Sequence, residues 1–127
     1  MSVHIDSSLL IDALTGTRRS GRMLLRAIDR GERFHLSSMA MFEWLRGRRE
    51  QQELAVQQTL FPLESTVPFG DAEARIAADL YRGASRAGQR EADLAIAACA
   101  IANGAALWTL NQADFADIPD LVLYSPR

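Results

Sequence analysis

Apolar positions along the chain gather into runs of two lengths, with polar residues, Gly and Pro as the punctuation between them. The short runs, at residues 3–6, 34–36, 63–67, 105–110 and 121–124, predict strands. The longer ones, at 9–14, 20–30, 39–46, 50–60, 71–84 and 94–102, predict helices. In the run 71–84, Ala72, Ile76, Leu80 and Ala84 recur every fourth residue with Ala77 and Tyr81 beside them, the pattern of a packing helix. In 20–30, Met23, Leu24, Ala27 and Ile28 form a stripe, while Arg18, Arg19, Arg22, Arg26 and Arg30 make the opposite face basic. The run 94–102 has no polar face, so it predicts a helix buried on every side, stopped where Gly104 takes the left-handed conformation. Ser7 or Ser8, and Ser37 or Ser38, stand where a hydroxyl caps the following helix. Short strands alternating with helices predict an α/β fold with a mostly parallel sheet.

Length and composition narrow the class. The chain has 127 residues, which suits a single domain over 1–127, with 48% hydrophobic and 24% charged residues as in ordinary globular proteins. The one cysteine, Cys99, falls inside the apolar run 94–102 and reads as a small hydrophobe. No apolar run reaches membrane-spanning length and no secretory signal is visible, so the expected location is cytoplasmic, with no membrane partner. A net charge of -2 argues against coating nucleic acid by bulk charge. Every basic side chain is arginine, either a compositional bias or a preference for the planar fork that grips phosphate.

Four acids stand apart from the rest. Asp6 follows the first strand at a helix start, either as a plain N-cap or at the sheet edge where parallel sheets place ligands. Glu43 lies within Met39-Ala40-Met41-Phe42-Glu43-Trp44-Leu45, a costly setting for a carboxylate unless it has a partner, with Arg46 in reach at helical spacing. Asp93 opens the buried helix and Asp114 follows the strand at 105–110. In a parallel sheet, strand ends and helix starts share one edge, so all four can converge. Two carboxylates about 4 Å apart repel by roughly 4 kcal/mol at an effective dielectric near 20. A cluster of four therefore predicts either retained protons or a divalent cation, and hard oxygen donors suit Mg2+ or Mn2+. Zinc spacing, glycine-rich phosphate loops and a G-x-S-x-G elbow are all missing from the sequence.

Asp6-Ser7-Ser8 after a strand, Glu43 in an apolar helix with Gly47 behind it, Asp93-Leu94-Ala95-Ile96-Ala97-Ala98, and Asn111-Gln112-Ala113-Asp114-Phe115 occur in that order over nearly the whole chain. Together they resemble PIN-domain nucleases, above all the VapC toxins of bacterial toxin–antitoxin pairs. The resemblance implies a three-layer α/β/α fold with a mostly parallel central sheet of four to five strands. It implies a divalent-metal-dependent endoribonuclease, with Asp6, Glu43, Asp93 and Asp114 as the catalytic and metal-binding acids and Mg2+ or Mn2+ as cofactor. Ser7 and Asn111 become helpers, Asn111 standing where many relatives carry an acid. Arg46, Arg48 and Arg90 become candidate phosphate contacts on the RNA. An antitoxin protein is the implied partner, in a homodimer or a toxin–antitoxin hetero-oligomer, with the 23–28 stripe and the helix bearing Leu54 and Val56 as contact surfaces. The competing expectation is a non-catalytic PIN-like module that binds RNA or protein. A receiver-like phosphoryl acceptor at Asp6 is disfavoured, since Ser7 follows it and the chain has no lysine.

Overall fold

The first strand, β1 (Ser2–Ile5), buries Val3, His4 and Ile5 in succession, so both its faces are covered, as the middle of a parallel sheet requires. The computed structural model describes residues 2–16 and 20–126. β1 is flanked by β2 (Arg33–His35) and β3 (Ala106–Trp108) in the order β2-β1-β3, and both pairings are parallel. The register sets His4 beside His35 and Leu107, and Ile5 beside Trp108. His4 is a strand residue, as its place in the sequence suggests, but its ring is not fully satisfied: Nδ1 lacks a hydrogen-bond partner among the described residues. Burial first, and His35 second, lower the His4 pKa from 6.5 to about 4, so the ring stays neutral near neutral pH.

The sheet is narrower than the sequence predicts. Of the expected strand at 63–67, Leu63–Ser65 form a 3₁₀ turn and Val67 alone pairs, in parallel, with Ser37. Pro62 and Pro68 bracket the segment, and Pro cannot donate to a ladder. Of the expected strand at 121–124, Leu123 makes one parallel bridge to Leu107. The backbone there donates from Leu107 to Val122 O at 2.8 Å and from Tyr124 to Leu107 O at 2.8 Å. Two single bridges thus extend a three-stranded sheet at its two edges, in place of a fourth and fifth strand.

Six helices follow the apolar runs: α1 (Ser7–Leu14), α2 (Gly21–Asp29), α3 (Ser38–Arg46), α4 (Gln51–Leu60), α5 (Asp71–Gly83) and α6 (Glu91–Ala102). Of the basic face expected opposite the α2 stripe, Arg18 and Arg19 lie outside the described residues. Ser37 caps α3 by accepting from Ala40 N at 3.2 Å, as expected of one of the two serines. α6 is buried without interruption from Leu94 to Ala100, and Gly104 behind it has φ 63, both as its pattern predicts. α5 packs along α6, and α1 packs on α2, α3 and α4. None of the helices is long and apolar enough to cross a membrane among the described residues.

One buried polar link joins α3 to α4. Trp44 Nε1 donates to Gln57 Oε1 at 3.2 Å, and Gln57 Nε2 donates to Phe61 O at 2.9 Å, with Trp44 fully buried. The Arg49 guanidinium lies over the Trp44 ring at 4.3 Å, in space left by the missing side chain of Gly47. Gln57→Ala would strand the Trp44 N–H and the Phe61 carbonyl together, and we expect it to cost about 2–4 kcal/mol in a urea titration. A loss below about 1 kcal/mol would show that the link carries little of the α3–α4 packing.

Candidate active site

All three strands run the same way, so their carboxyl ends open onto one edge. The chain leaves β1 for one neighbour and later returns to the other, which makes the end of β1 the switch point of the sheet. Asp6 occupies that point. Its backbone caps α1, with Leu9 N and Leu10 N donating to its carbonyl at 3.1 and 3.3 Å, but its carboxylate takes no part in capping. The plain N-cap explanation therefore covers only its main chain. Asp6 is 3% exposed, and its Oδ2 accepts from Ser8 Oγ and Thr109 Oγ1, each at 2.7 Å. Ser7 and Ser8 do not cap α1 as expected; they sit inside its first turn and turn their hydroxyls on acids.

Glu43 reaches the same edge from α3. Ser7 Oγ donates to Glu43 Oε1 at 2.7 Å, across 36 residues of sequence. Arg46 lies 3.5 Å from Oε2, so the local pairing weighed from sequence also exists. The Glu43 side chain is 14% exposed and that of Arg46 is 61% exposed, which leaves the arginine mostly in solvent. The Arg46 guanidinium also stands 5.5 Å from the ring of exposed Phe42.

Asp93 lies in the first turn of α6, and Asp114 ends a 3₁₀ turn, Gln112–Asp114, just beyond β3. Both line a polar cavity of about 260 Å³, with Arg86, Gln89, Arg90 and Asp117 among its other walls. Burial first, then the charges of Asp6, Asp114 and Glu43, raise the Asp93 pKa from 3.8 to about 6, and Arg90 opposes this. Asp6, Glu43 and Asp114 thus all stand within electrostatic reach of Asp93. No three His, Cys, Asp or Glu side chains among the described residues lie close enough to hold a metal as they stand. The two observations agree, because like charges held apart still interact at this range.

Of the helpers, Ser7 touches Glu43, while exposed Asn111 contacts the site through its backbone, donating to Thr109 Oγ1 at 3.0 Å. Arg48 is exposed. Arg90, expected at a phosphate, is occupied within the chain: its side chain is 12% exposed and pairs with Asp117. Sequence reasoning missed two groups, Ser8 as an acid's donor and Thr109. Thr109 had a legible signal, being the polar residue inside the apolar run 105–110, directly after β3.

The PIN domain family model matches residues 3–121. Ribonuclease VapC19 of Mycobacterium tuberculosis is 35% identical over 120 residues, covering 92% of this chain and 94% of that protein. The chain belongs to the PIN-domain family, in its VapC branch. The fold agrees with solved VapBC structures. The VapBC2 complex of Rickettsia felis bound to a promoter DNA fragment superposes with a TM-score of 0.77 at 20% identity, over 98% of both chains. DNA-bound VapBC from Salmonella typhimurium gives 0.76 at 18% identity, over 98% of this chain and 97% of that one. The parallel β2-β1-β3 sheet with helices on its faces is thus a PIN fold.

The raised Asp93 pKa has a measurable consequence in this PIN domain. Folded protein retains a proton that the unfolded chain releases, so metal-free protein loses stability as pH rises from about 4 to about 6, then levels off. The full shift corresponds to roughly 3 kcal/mol, and solvent screening at this half-exposed carboxyl cuts that to about 1–2 kcal/mol. Asp93→Asn should therefore melt higher than wild type above pH ~7 in EDTA, with the gain fading below pH ~4. Equal melting temperatures at high pH would contradict the repulsion.

Proposed function

We propose that the chain is a divalent-metal-dependent endoribonuclease, the toxin of a toxin–antitoxin pair, hydrolysing RNA phosphodiester bonds. The observation that carries this reading is that Asp93 stands within electrostatic reach of Asp114, Glu43 and Asp6, the last at the switch point of the sheet. The donor set fits Mg2+ or Mn2+: these acids offer carboxylate oxygens, with hydroxyls rather than thiols or imidazoles in support. Asp6, Glu43, Asp93 and Asp114 would hold the ion. Bound there, it supplies Lewis-acid polarisation of the phosphate and lowers the pKa of a water.

The chain's own residues do the rest. Ser8 and Thr109 aim one oxygen of Asp6, and Ser7 aims one of Glu43, so both carboxylates are oriented before substrate arrives. Asp93 is largely ionised near neutral pH despite its burial, which keeps it available as a donor. Arg46, mostly solvent-exposed beside Glu43, and exposed Arg48 are the side chains we assign to flanking RNA phosphates.

The antitoxin reading rests on an apolar groove of about 360 Å³ between α1, α2 and α4, where Leu24 and Leu60 form the floor and Leu25 and Val56 the exposed rim. Of the expected 23–28 stripe, Leu24 and Ala27 are core and exposed Met23 lies outside the groove, so within the groove the exposed apolar contacts are Leu25 and Val56. An antitoxin segment with apolar anchors would cover this groove in a hetero-oligomer.

Asp6→Asn and Asp93→Asn should each lower Mg2+-dependent RNA cleavage by at least ~100-fold with an unchanged circular dichroism spectrum. In cells, expression followed by sequencing of RNA ends should give new ends with wild type alone. Matching growth and RNA ends for wild type and the Asp6 variant would favour the non-catalytic module. Leu25→Glu should abolish co-purification with the protein encoded next to this gene while leaving cleavage intact; retained binding would remove the groove from the interface.

A further inference from the structure

Resting on the reading of the four acids as a nuclease site, we infer that Arg90 is the positioning residue for Asp114. Its clamp on the chain between Asp114 and Asp117 holds the Asp114 carboxylate opposite Asp93. One terminal nitrogen of Arg90 donates to Asp117 Oδ2 at 3.0 Å and to Ser85 O at 3.2 Å. The other donates to Asp117 Oδ1 at 2.6 Å and to Asp114 O at 3.0 Å. Four of the five guanidinium N–H groups are thereby used, and the side chain is 12% exposed. Little remains with which to grip an RNA phosphate.

The remaining acids show why such a clamp matters. Asp6 is held directly by Ser8 and Thr109, and Glu43 by Ser7 and Arg46. Among the described residues, the Asp114 carboxylate accepts no side-chain hydrogen bond of this kind. Asp114 is exposed on a single 3₁₀ turn, anchored on its far side by buried Phe115 and Ile118. Arg90 supplies the near-side anchor, through the carbonyl of Asp114 itself.

Arg90 is also placed against a local rule. It is the N-cap of α6, where the helix dipole disfavours a cation. A local rule broken in this way, with three of the four bonds committed across sequence separations of 24 and 27 residues, points to a functional constraint. The pair also forms a shared wall. Arg90 and Asp117 line both the polar cavity that holds Asp93 and Asp114 and an apolar cavity of about 430 Å³ behind it, bounded by Leu80, Leu94 and Ile118.

The test uses full-length Arg90→Gln, Asp117→Asn and the double variant. Asp117→Asn is nearly isosteric and its site is 56% exposed, so it keeps the experiment interpretable if Arg90→Gln unfolds. Mn2+ affinity is read by electron paramagnetic resonance without RNA, and RNA cleavage is read as kcat and KM separately. Positioning predicts about 10–100-fold weaker Mn2+ binding and a similar loss in kcat for each single variant, with KM little changed. The double variant should be no worse than either single one, because both remove the same clamp. A raised KM with unchanged kcat and Mn2+ affinity for Arg90→Gln would make Arg90 an RNA contact and overturn the inference. Full Mn2+ affinity in a folded Asp117→Asn protein would overturn it as well. Weakened Mn2+ binding in the variants of a wild type that cleaves no RNA would support the clamp while the nuclease reading fell.

Discussion

Like charges must be brought to one edge of a parallel sheet and held there, and much of this structure answers to that constraint. A parallel sheet places its strand ends and helix starts together, and the order β2-β1-β3 puts the gap beside Asp6. Asp6 is 3% exposed, and its carboxyl group is supported by hydroxyls that other parts of the chain deliver: Ser8 from α1 and Thr109 from just past β3. Ser7 does the same for Glu43, tying α1 to α3. The packing of α1 on α3 is thus also the scaffold of the acid pair.

Support is uneven around the site. Asp6 and Glu43 are gripped at their oxygens, Asp93 is placed by the rigid buried helix α6, and Asp114 is set by backbone alone. Asp93 bears the electrostatic strain, since its pKa rises under burial and three neighbouring carboxylates. Such strain is tolerable in a domain whose uninterrupted run from Leu94 to Ala100 is buried, because each well-buried Leu or Ile contributes about 1.5–3 kcal/mol. The apolar helix and the acid at its start are therefore one arrangement: the core anchors the charge.

The arginines divide by commitment rather than by position along the chain. Arg90 is locked into Asp117 and two carbonyls, and Arg49 lies over Trp44. Arg46 and Arg48 stay in solvent on the α3 side of the site. A chain with net charge -2 thus keeps its positive charge for specific places, which suits a local contact with a polyanion better than bulk attraction.

Periodicity alone placed all six helices, the first strand and the buried character of α6, because those depend on neighbours a few residues away. It also singled out four acids, since a carboxylate in or beside an apolar run is anomalous locally, and three of them stand within electrostatic reach of the fourth, Asp93. The segments 63–67 and 121–124 each make a single bridge because pairing depends on how much open sheet edge is in reach, and Pro62 and Pro68 bracket the first. The partners of the acids were out of reach for the same kind of reason. Ser7 meets Glu43 across 36 residues, Thr109 meets Asp6 across 103, and Arg90 meets Asp117 across 27. The four acids stand out in the sequence by their local setting; only the tertiary fold decides which hydroxyl or guanidinium stands beside each one, because hydrogen bonds act over about 3 Å while their partners lie tens of residues apart.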